Sequence, residues 1–274
     1  MSLRGKLEKL AELARMYALQ PRLTRRLLAN LPSIVRGFSH GEHWKNMPLA
    51  EDPVPPAAPV NRLRAFAEGR TSGRGIWKWD HYFDIYERHF RKYVGREVHV
   101  LEVGVYSGGS LEMWRDYFGP QCHVYGFDVE AACTAYENEY TGIFIGDQAD
   151  PDAWRAFRKR FPKVDILIDD GGHQLEQQIV TLEEMLPHLR PGGLYLCEDI
   201  YGERNGFAAY LQGLVNNLNR QGQGGWQPRV DSTGLQAWIG SAHFYPYATV
   251  LEKRAAPLPQ LFTERHGTEW QPFM

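Results

Sequence analysis

Two short acidic runs are the residues in this chain most able to do chemistry. They are Asp169-Asp170-Gly-Gly-His173 and Glu198-Asp199. Each closes an apolar run, Val164 to Ile168 and Leu194 to Cys197, of the kind that forms a buried strand. Four carboxylates at one sheet edge repel one another and lose hydration together. A hard divalent cation, Mg²⁺ or Mn²⁺, resolves that conflict, with open positions left for water or substrate. The competing reading is that some of the acids cap helices or pair with arginines. Alternation along a strand also keeps both members of a pair from meeting one ion unless the strand is already bending into its loop. His173 stands three residues beyond Asp170. A histidine beside a metal-polarised hydroxyl is a suitable general base, and a helix-capping role is the plainer alternative.

A second constellation lies upstream, in Val98-His-Val-Leu-Glu-Val-Gly-Val-Tyr-Ser-Gly-Gly-Ser110. The β-branched run breaks at Gly104 and restarts at Ser110 with a helical pattern, Leu111, Met113, Trp114, Tyr117 and Phe118. A strand, a glycine turn and a helix N-terminus form a nucleotide cradle, because glycine lets backbone N–H groups approach a ligand closely. A dinucleotide fingerprint would require glycine at position 106, where this chain has Tyr106. Glu102 inside the strand is a poor neighbour for a diphosphate. It suits a ligand with positive charge, such as the amino and sulfonium groups of S-adenosylmethionine. Asp128 ends the next strand, about 20 residues past the turn, where an acid binds ribose hydroxyls in nucleotide-binding α/β folds. Position 147, in Gly146-Asp147-Gln148, is where an adenine-reading side chain would sit.

These residues require a frame of alternating strands and helices. Strands are expected at His123–Asp128, Gly142–Ile145, Val164–Asp169 and Leu194–Asp199, with a closing hairpin from Ala237–Phe244 and Thr249–Lys253. Asp150 with Pro151 starts a helix that buries Trp154, Phe157 and Phe161. The helix after His173 buries Ile179, Leu182, Leu186 and Leu189, and stops at Arg190-Pro-Gly-Gly193. Trp77, Trp79, Tyr82, Phe83, Tyr86, Phe90 and Tyr93 form an aromatic stripe that packs on the first strand. Gly206 to Arg220 is amphipathic, and Gln221 to Pro228 reads as a flexible connection. The pattern predicts a doubly wound, mostly parallel seven-stranded α/β sheet with its ligands at the carboxyl ends of the strands.

Upstream, Leu7, Leu10, Leu13 and Tyr17, then Leu23, Leu27, Leu28 and Leu31, recur at helical spacing on either side of Pro21, within a locally basic segment. A membrane surface or an acidic partner would suit such helices; an accessory or oligomerisation role is the plainer reading. His40 and His43 read as loop residues, and Pro53 to Pro59 marks a linker. The expected division is a helical segment and linker at 1–75 and a main domain at 76–274. The 274 residues carry a net charge of −2, which implies no general attraction to nucleic acid. Three cysteines without C-x-x-C spacing make neither a disulfide framework nor a zinc site and point to a reducing, cytoplasmic setting. No apolar run is long enough to span a bilayer.

Together these motifs carry a resemblance. Glu102-x-Gly104, Asp128, Gly146-Asp147-Gln148, Arg190-Pro-Gly-Gly193 and Ser241-Ala-His-Phe-Tyr245 resemble a class I S-adenosylmethionine methyltransferase. Within that superfamily, Lys78-Trp79, His81-Tyr82-Phe83, Tyr86-Glu-Arg-His-Phe90, Asp169-Asp170-Gly-Gly-His173 and Glu198-Asp199 are similar to the metal-dependent macrolide-sugar O-methyltransferases of antibiotic biosynthesis. The resemblance runs from Ile76 to about Arg254. It implies that Asp170, Glu198 and Asp199 hold Mg²⁺ and that His173 is the base. The cofactor would meet Glu102, Gly104, Asp128, Asp147 and Gln148, together with Tyr106, Ser110 and Asp169. Gly172 departs from the serine common in that family's loop. The implied reaction is methyl transfer to a hydroxyl of a deoxysugar such as rhamnose, on a small glycosylated product or glycan, by a possible homo-oligomer. A catechol or phenol methyltransferase, a nicotinamide oxidoreductase and a non-catalytic interaction protein are the rival expectations.

Overall fold

The computed structural model describes residues 3–45, 60–202, 206–220 and 227–268, and the chain divides into two compact units, Met1–Ala58 and Pro59–Met274. In the first unit α1 (Leu3–Leu19) and α2 (Pro21–Trp44) meet at Pro21, which opens α2 at a position where its missing N–H costs nothing. The second helix is longer than expected and contains His40 and His43, so the loop reading of that pair is corrected. A lone glycine such as Gly41 weakens a helix by only about 1 kcal/mol, and Trp44 Nε1 donates to His40 Nε2 one turn back at 2.9 Å. Leu23, Leu27, Leu31, Val35 and Phe38 of α2 are exposed. Among the described residues no helix is long and apolar enough to cross a membrane. The proline run at 53–59 and residues 221–226 of the expected connection lie outside the described residues.

The second unit opens with α3 (Arg62–Glu68), whose first turn is capped by the Asn61 side chain accepting from the N–H groups of Leu63 and Arg64. Helix α4 (Tyr82–Phe90) follows, then β1 (Val98–Val103), α5 (Gly109–Phe118), β2 (Cys122–Asp128), β3 (Thr141–Ile145), α6 (Pro151–Arg160), β4 (Val164–Asp169), α7 (Leu175–Met185) and β5 (Leu189–Cys197). After α8 (Gly206–Leu218) and β6 (Arg229–Asp231) come α9 (Gly234–Trp238), β7 (Ile239–Tyr245), β8 (Ala248–Lys253) and β9 (Gln260–Phe262). The seven-stranded sheet has the order β3-β2-β1-β4-β5-β8-β7. Its first five strands are parallel, and the β7–β8 hairpin closes it antiparallel to β5, as expected. A small β6–β9 pair was not foreseen. Arg190-Pro-Gly-Gly193 belongs to β5 instead of ending a helix, because Leu189 already pairs with Val164.

Each sheet face carries its own core. Val98, Val100, Val124, Ile166, Ile168, Leu194 and Leu196 pack with Tyr82, Tyr86, Phe90, Trp114 and Phe118 of α4 and α5. Leu101, Val103, Phe127, Leu167, Tyr195 and Cys197 face Trp154 and Phe157 of α6, Leu182 of α7 and Phe207 of α8. A sheet buried on both faces explains why its strands read as continuous apolar runs. Trp77 and Trp79 precede α4 and stay exposed, so only part of the aromatic stripe is core.

Candidate active site

Strand alternation decides which acids meet. From Ile166 and Leu194 onward, and along β1, even-numbered residues face α4 and α5 and odd-numbered ones face α6 and α7. Glu102, Asp170 and Glu198 therefore fall on the α4 side, and Asp169 falls on the other. Their shared counter-ion is Lys78, whose side chain is 3% exposed and whose ammonium lies 2.6 Å from Asp170, 3.1 Å from Glu198 and 3.2 Å from Glu102. Burial alone would lower the lysine pKa, but Asp170 and Glu198 outweigh it and hold the ammonium well above its ordinary value. Burial likewise raises the Glu198 carboxyl, against the pull of Lys78. The acids thus have a cationic partner, a lysine in place of the arginines anticipated.

Asp199 breaks the alternation. Its φ of 55° turns the chain back as β5 ends, and its Oδ1 accepts from Trp79 Nε1 at 3.0 Å and Tyr82 OH at 2.9 Å. Tyr86 OH donates to Glu198 Oε1 at 2.5 Å. These tyrosines look like core residues in sequence; their buried hydroxyls hold the acids in place. His173 Nε2 lies 3.5 Å from Asp199 and 4.0 Å from Asp170, while its Nδ1 is buried without a hydrogen-bond partner among the described residues. Asp170, His173 and Asp199 can present one ligand atom each, all within 4.8 Å of one another. Tyr106, His173 and Asp199 all hold φ near +50°, a costly conformation for residues with a Cβ that tends to collect at functional sites.

The glycine turn forms the opposite wall. Gly104 has a φ of 85°, and a Cβ there would collide with the Asp170 carbonyl, so this glycine serves the close approach of the β4 loop. Asp128 Oδ2 accepts the N–H groups of Val105 at 2.7 Å and Tyr106 at 3.2 Å, and Oδ1 accepts that of Glu130 at 2.9 Å. Between the walls is a cleft of about 910 Å³, large enough for two small molecules side by side. Gly104, Tyr106, Ser110, Asp128, Gln148, Asp170, His173, Glu198 and Asp199, nine of the twelve residues singled out in the sequence, line it.

The other three lie elsewhere. Glu102, fully buried, accepts from Ser110 Oγ at 2.6 Å and from Lys78, so its charge is already answered behind the cleft wall. Asp147 is exposed beside the cleft and accepts the N–H of Ala149 at 2.8 Å. Asp169 is 1% exposed on the opposite sheet face, where it accepts from Gln148 Nε2 at 3.1 Å and Tyr195 OH at 3.0 Å. Burial pushes its carboxyl up to about 7. Gln148 closes the same network, accepting the Gly172 N–H at 2.7 Å.

A parallel sheet of this order, with a glycine turn after its first strand and an acid ending its second, is the class I methyltransferase fold. Residues 101–200 match the family described as Methyltransferase domain. The chain is 32% identical over 235 residues to 8-demethyl-8-alpha-L-rhamnosyl tetracenomycin-C 2'-O-methyltransferase of Streptomyces olivaceus, covering 74% of this chain and 61% of that protein. It is 40% identical over 134 residues to demethylmacrocin O-methyltransferase of Streptomyces fradiae, covering 45% and 33%. Among solved structures, the MycE methyltransferase from the mycinamycin biosynthetic pathway, in complex with Mg and SAH, aligns with a TM-score of 0.60 at 26% identity, over 70% of this chain and 54% of that one. Residues 101–200 thus resemble a methyltransferase domain, and the chain spans between 33% and 61% of the length of these two curated relatives.

Proposed function

We propose that this chain is a Mg²⁺-dependent O-methyltransferase that moves a methyl group from S-adenosylmethionine to a sugar hydroxyl, on a deoxysugar such as rhamnose carried by a small natural product or glycan. The observation that carries the reading is the convergence of Asp170, Asp199 and the strained His173, with its unpartnered Nδ1, on the cleft opened by the glycine turn. The relatives named for methylating rhamnosyl and macrolide sugars support it.

The donor set fits a hard divalent ion. Three carboxyl groups, on Glu102, Asp170 and Glu198, surround a single ammonium, Asp199 adds a fourth acid beside His173, and the surplus acid faces the cleft. Asp170, Glu198 and Asp199 would hold the ion, which when bound lowers the pKa of an acceptor hydroxyl. S-adenosylmethionine would lie against Gly104, Tyr106, Ser110, Asp128 and Gln148 and supplies the electrophilic methyl. His173 accepts the hydroxyl proton at Nε2, and Asp199 beside it stabilises the imidazolium that forms. Tyr82, Trp79 and Tyr86 fix the acids, and Lys78 keeps Asp170 and Glu198 from spreading. We take the first unit, Met1–Ala58, as an accessory or oligomerisation piece, and the cytoplasm as the compartment.

Replacing His173 by Ala is expected to lower turnover of a methyl rhamnoside by about 10²–10⁴-fold while leaving S-adenosylhomocysteine affinity unchanged, measured by calorimetry beside the rate assay. Near-normal turnover in that variant would remove His173 from the proton transfer. Preferential methylation of a catechol over the rhamnoside would move the acceptor class to phenols.

A further inference from the structure

Two histidines have no part in the cleft chemistry, His89 of α4 and His243 of β7, and the fold brings them together. Along β7, Ser241, His243 and Tyr245 alternate onto one face of the sheet, and Glu252 of β8 pairs opposite Ser241 and shares that face. His89, three residues past Tyr86 on the buried side of α4 and 4% exposed, packs against it. His89 Nδ1 lies 3.4 Å from one Glu252 oxygen, and His243 Nε2 lies 3.5 Å from the other. One ligand atom from each of the three residues falls within 4.8 Å of the others. The two imidazole centroids are 4.7 Å apart at an interplanar angle of 63°, so the rings are inclined to each other and do not stack.

We infer that His89, His243 and Glu252 form a second metal site, for Zn²⁺, which clips α4 to the β7–β8 hairpin. Two imidazole nitrogens and a carboxylate are the donors zinc favours, whereas the carboxylates at the cleft suit Mg²⁺. Around a tetrahedral zinc with bonds of about 2.0–2.1 Å, neighbouring ligand atoms stand roughly 3.3–3.5 Å apart, the spacing found here. An N–H···O bond to a carboxylate would draw the same atoms to about 2.9 Å. Behind His89, Nε2 meets Tyr245 OH at 2.8 Å, the outer contact that orients a ligating imidazole, and Ser241 Oγ donates to Glu252 Oε2 at 2.8 Å. The competitors for these donors are Ser241 Oγ, 3.0 Å from His243 Nε2, and Lys92, 3.4 Å from Glu252 with a half-exposed side chain that can turn to water. Burial lowers the His89 pKa and keeps the imidazole neutral. Burial would raise the Glu252 carboxyl, but the Ser241 hydroxyl, Lys92 and His89 outweigh it and hold it at about 2. Both groups therefore stand in the protonation state a metal requires. The partly exposed side chains of His243 and Glu252 leave a fourth position to water. Because α4 also carries Tyr82 and Tyr86, which hold Asp199 and Glu198, an ion here braces the helix behind the acids without entering the cleft.

The test strips the full chain of metal, adds excess Mg²⁺ to fill the cleft, and titrates with Co²⁺, whose visible absorption is intense in a four-coordinate site, and then with Zn²⁺. The expected result is one Co²⁺ taken up with that spectrum and displaced by Zn²⁺, with Asp199→Asn behaving like the natural chain. His243→Gln and Glu252→Gln should each weaken uptake by about 100-fold or more, at least the loss that follows removal of a hydrogen-bond partner behind a ligand. Zn²⁺ in excess Mg²⁺ should raise the melting temperature of the natural chain and leave that of His243→Gln unmoved. Unchanged S-adenosylhomocysteine affinity shows that each variant is folded. A natural chain that takes up no Co²⁺ in excess Mg²⁺, or a spectrum that persists in His243→Gln and vanishes in Asp199→Asn, would overturn the assignment.

Discussion

The residues of the acid cluster differ in how visible they are in the sequence. Asp170, His173, Glu198 and Asp199 stand out because acids and a histidine at the ends of apolar runs have few structural reasons to be there. Lys78 does not, since it lies in an aromatic segment 92 residues from Asp170 and 120 from Glu198, and nothing local announces such partners. Tyr82 and Tyr86 were equally hidden, and the available signal was the choice of Tyr over Phe at fully buried positions, which obliges a hydroxyl to find an acceptor. Asp169 shows the cost of reading a pair of acids as one unit, because alternation sends it to the other face. Its folded carboxyl lies at about 7 against an ordinary value of 3.8. A raised folded pKa for an acid gives stability that is fully present below 3.8 and is lost as pH rises through about 7. Asp169→Asn removes this dependence. In urea unfolding, the wild-type chain should gain on the variant by up to ~4 kcal/mol as pH falls from 7 toward 4, with a constant gap above 7. A gap independent of pH across that range would refute the assignment.

At the scale of elements, strand positions were legible because a two-sided sheet produces unbroken apolar runs, and Asp150-Pro151 announced α6 through its cap. Boundaries were less so. Arg190-Pro-Gly-Gly193 has the composition of a turn and lies inside β5 as an irregularity, between Leu189 paired with Val164 and Leu194 paired with Ile166. The region of His40 and His43 has the composition of a loop and is helical. Gly104 was assigned to ligand approach, whereas the structure gives it a packing reason as well: β1 and the β4 loop touch at its α-carbon. Gly104→Ala places a Cβ against the Asp170 carbonyl at a left-handed φ. It should destabilise the domain by about 2 kcal/mol or more in denaturant unfolding and displace Asp170 from Lys78. A variant of native stability would mean that the β4 loop moves freely away from the turn.

Across the whole molecule, the topology brings a nucleotide-type cradle and an acidic cluster to the carboxyl ends of adjacent strands, the general location of ligand sites in open α/β sheets. Fold alone selects no substrate, and the sequence could reach the sugar only through the resemblance in its motifs. The relatives extend well beyond the aligned region, so what the first unit, Met1–Ala58, contributes is a separate question from the chemistry of the second. The central claim is that one divalent ion and one histidine on this cleft activate a sugar hydroxyl toward S-adenosylmethionine. The most direct test is transfer of radiolabelled methyl from S-adenosylmethionine to methyl α-L-rhamnoside before and after exhaustive EDTA treatment, followed by addition of Mg²⁺. The account predicts transfer that is abolished by the chelator and restored by Mg²⁺; transfer undiminished by complete chelation would contradict it.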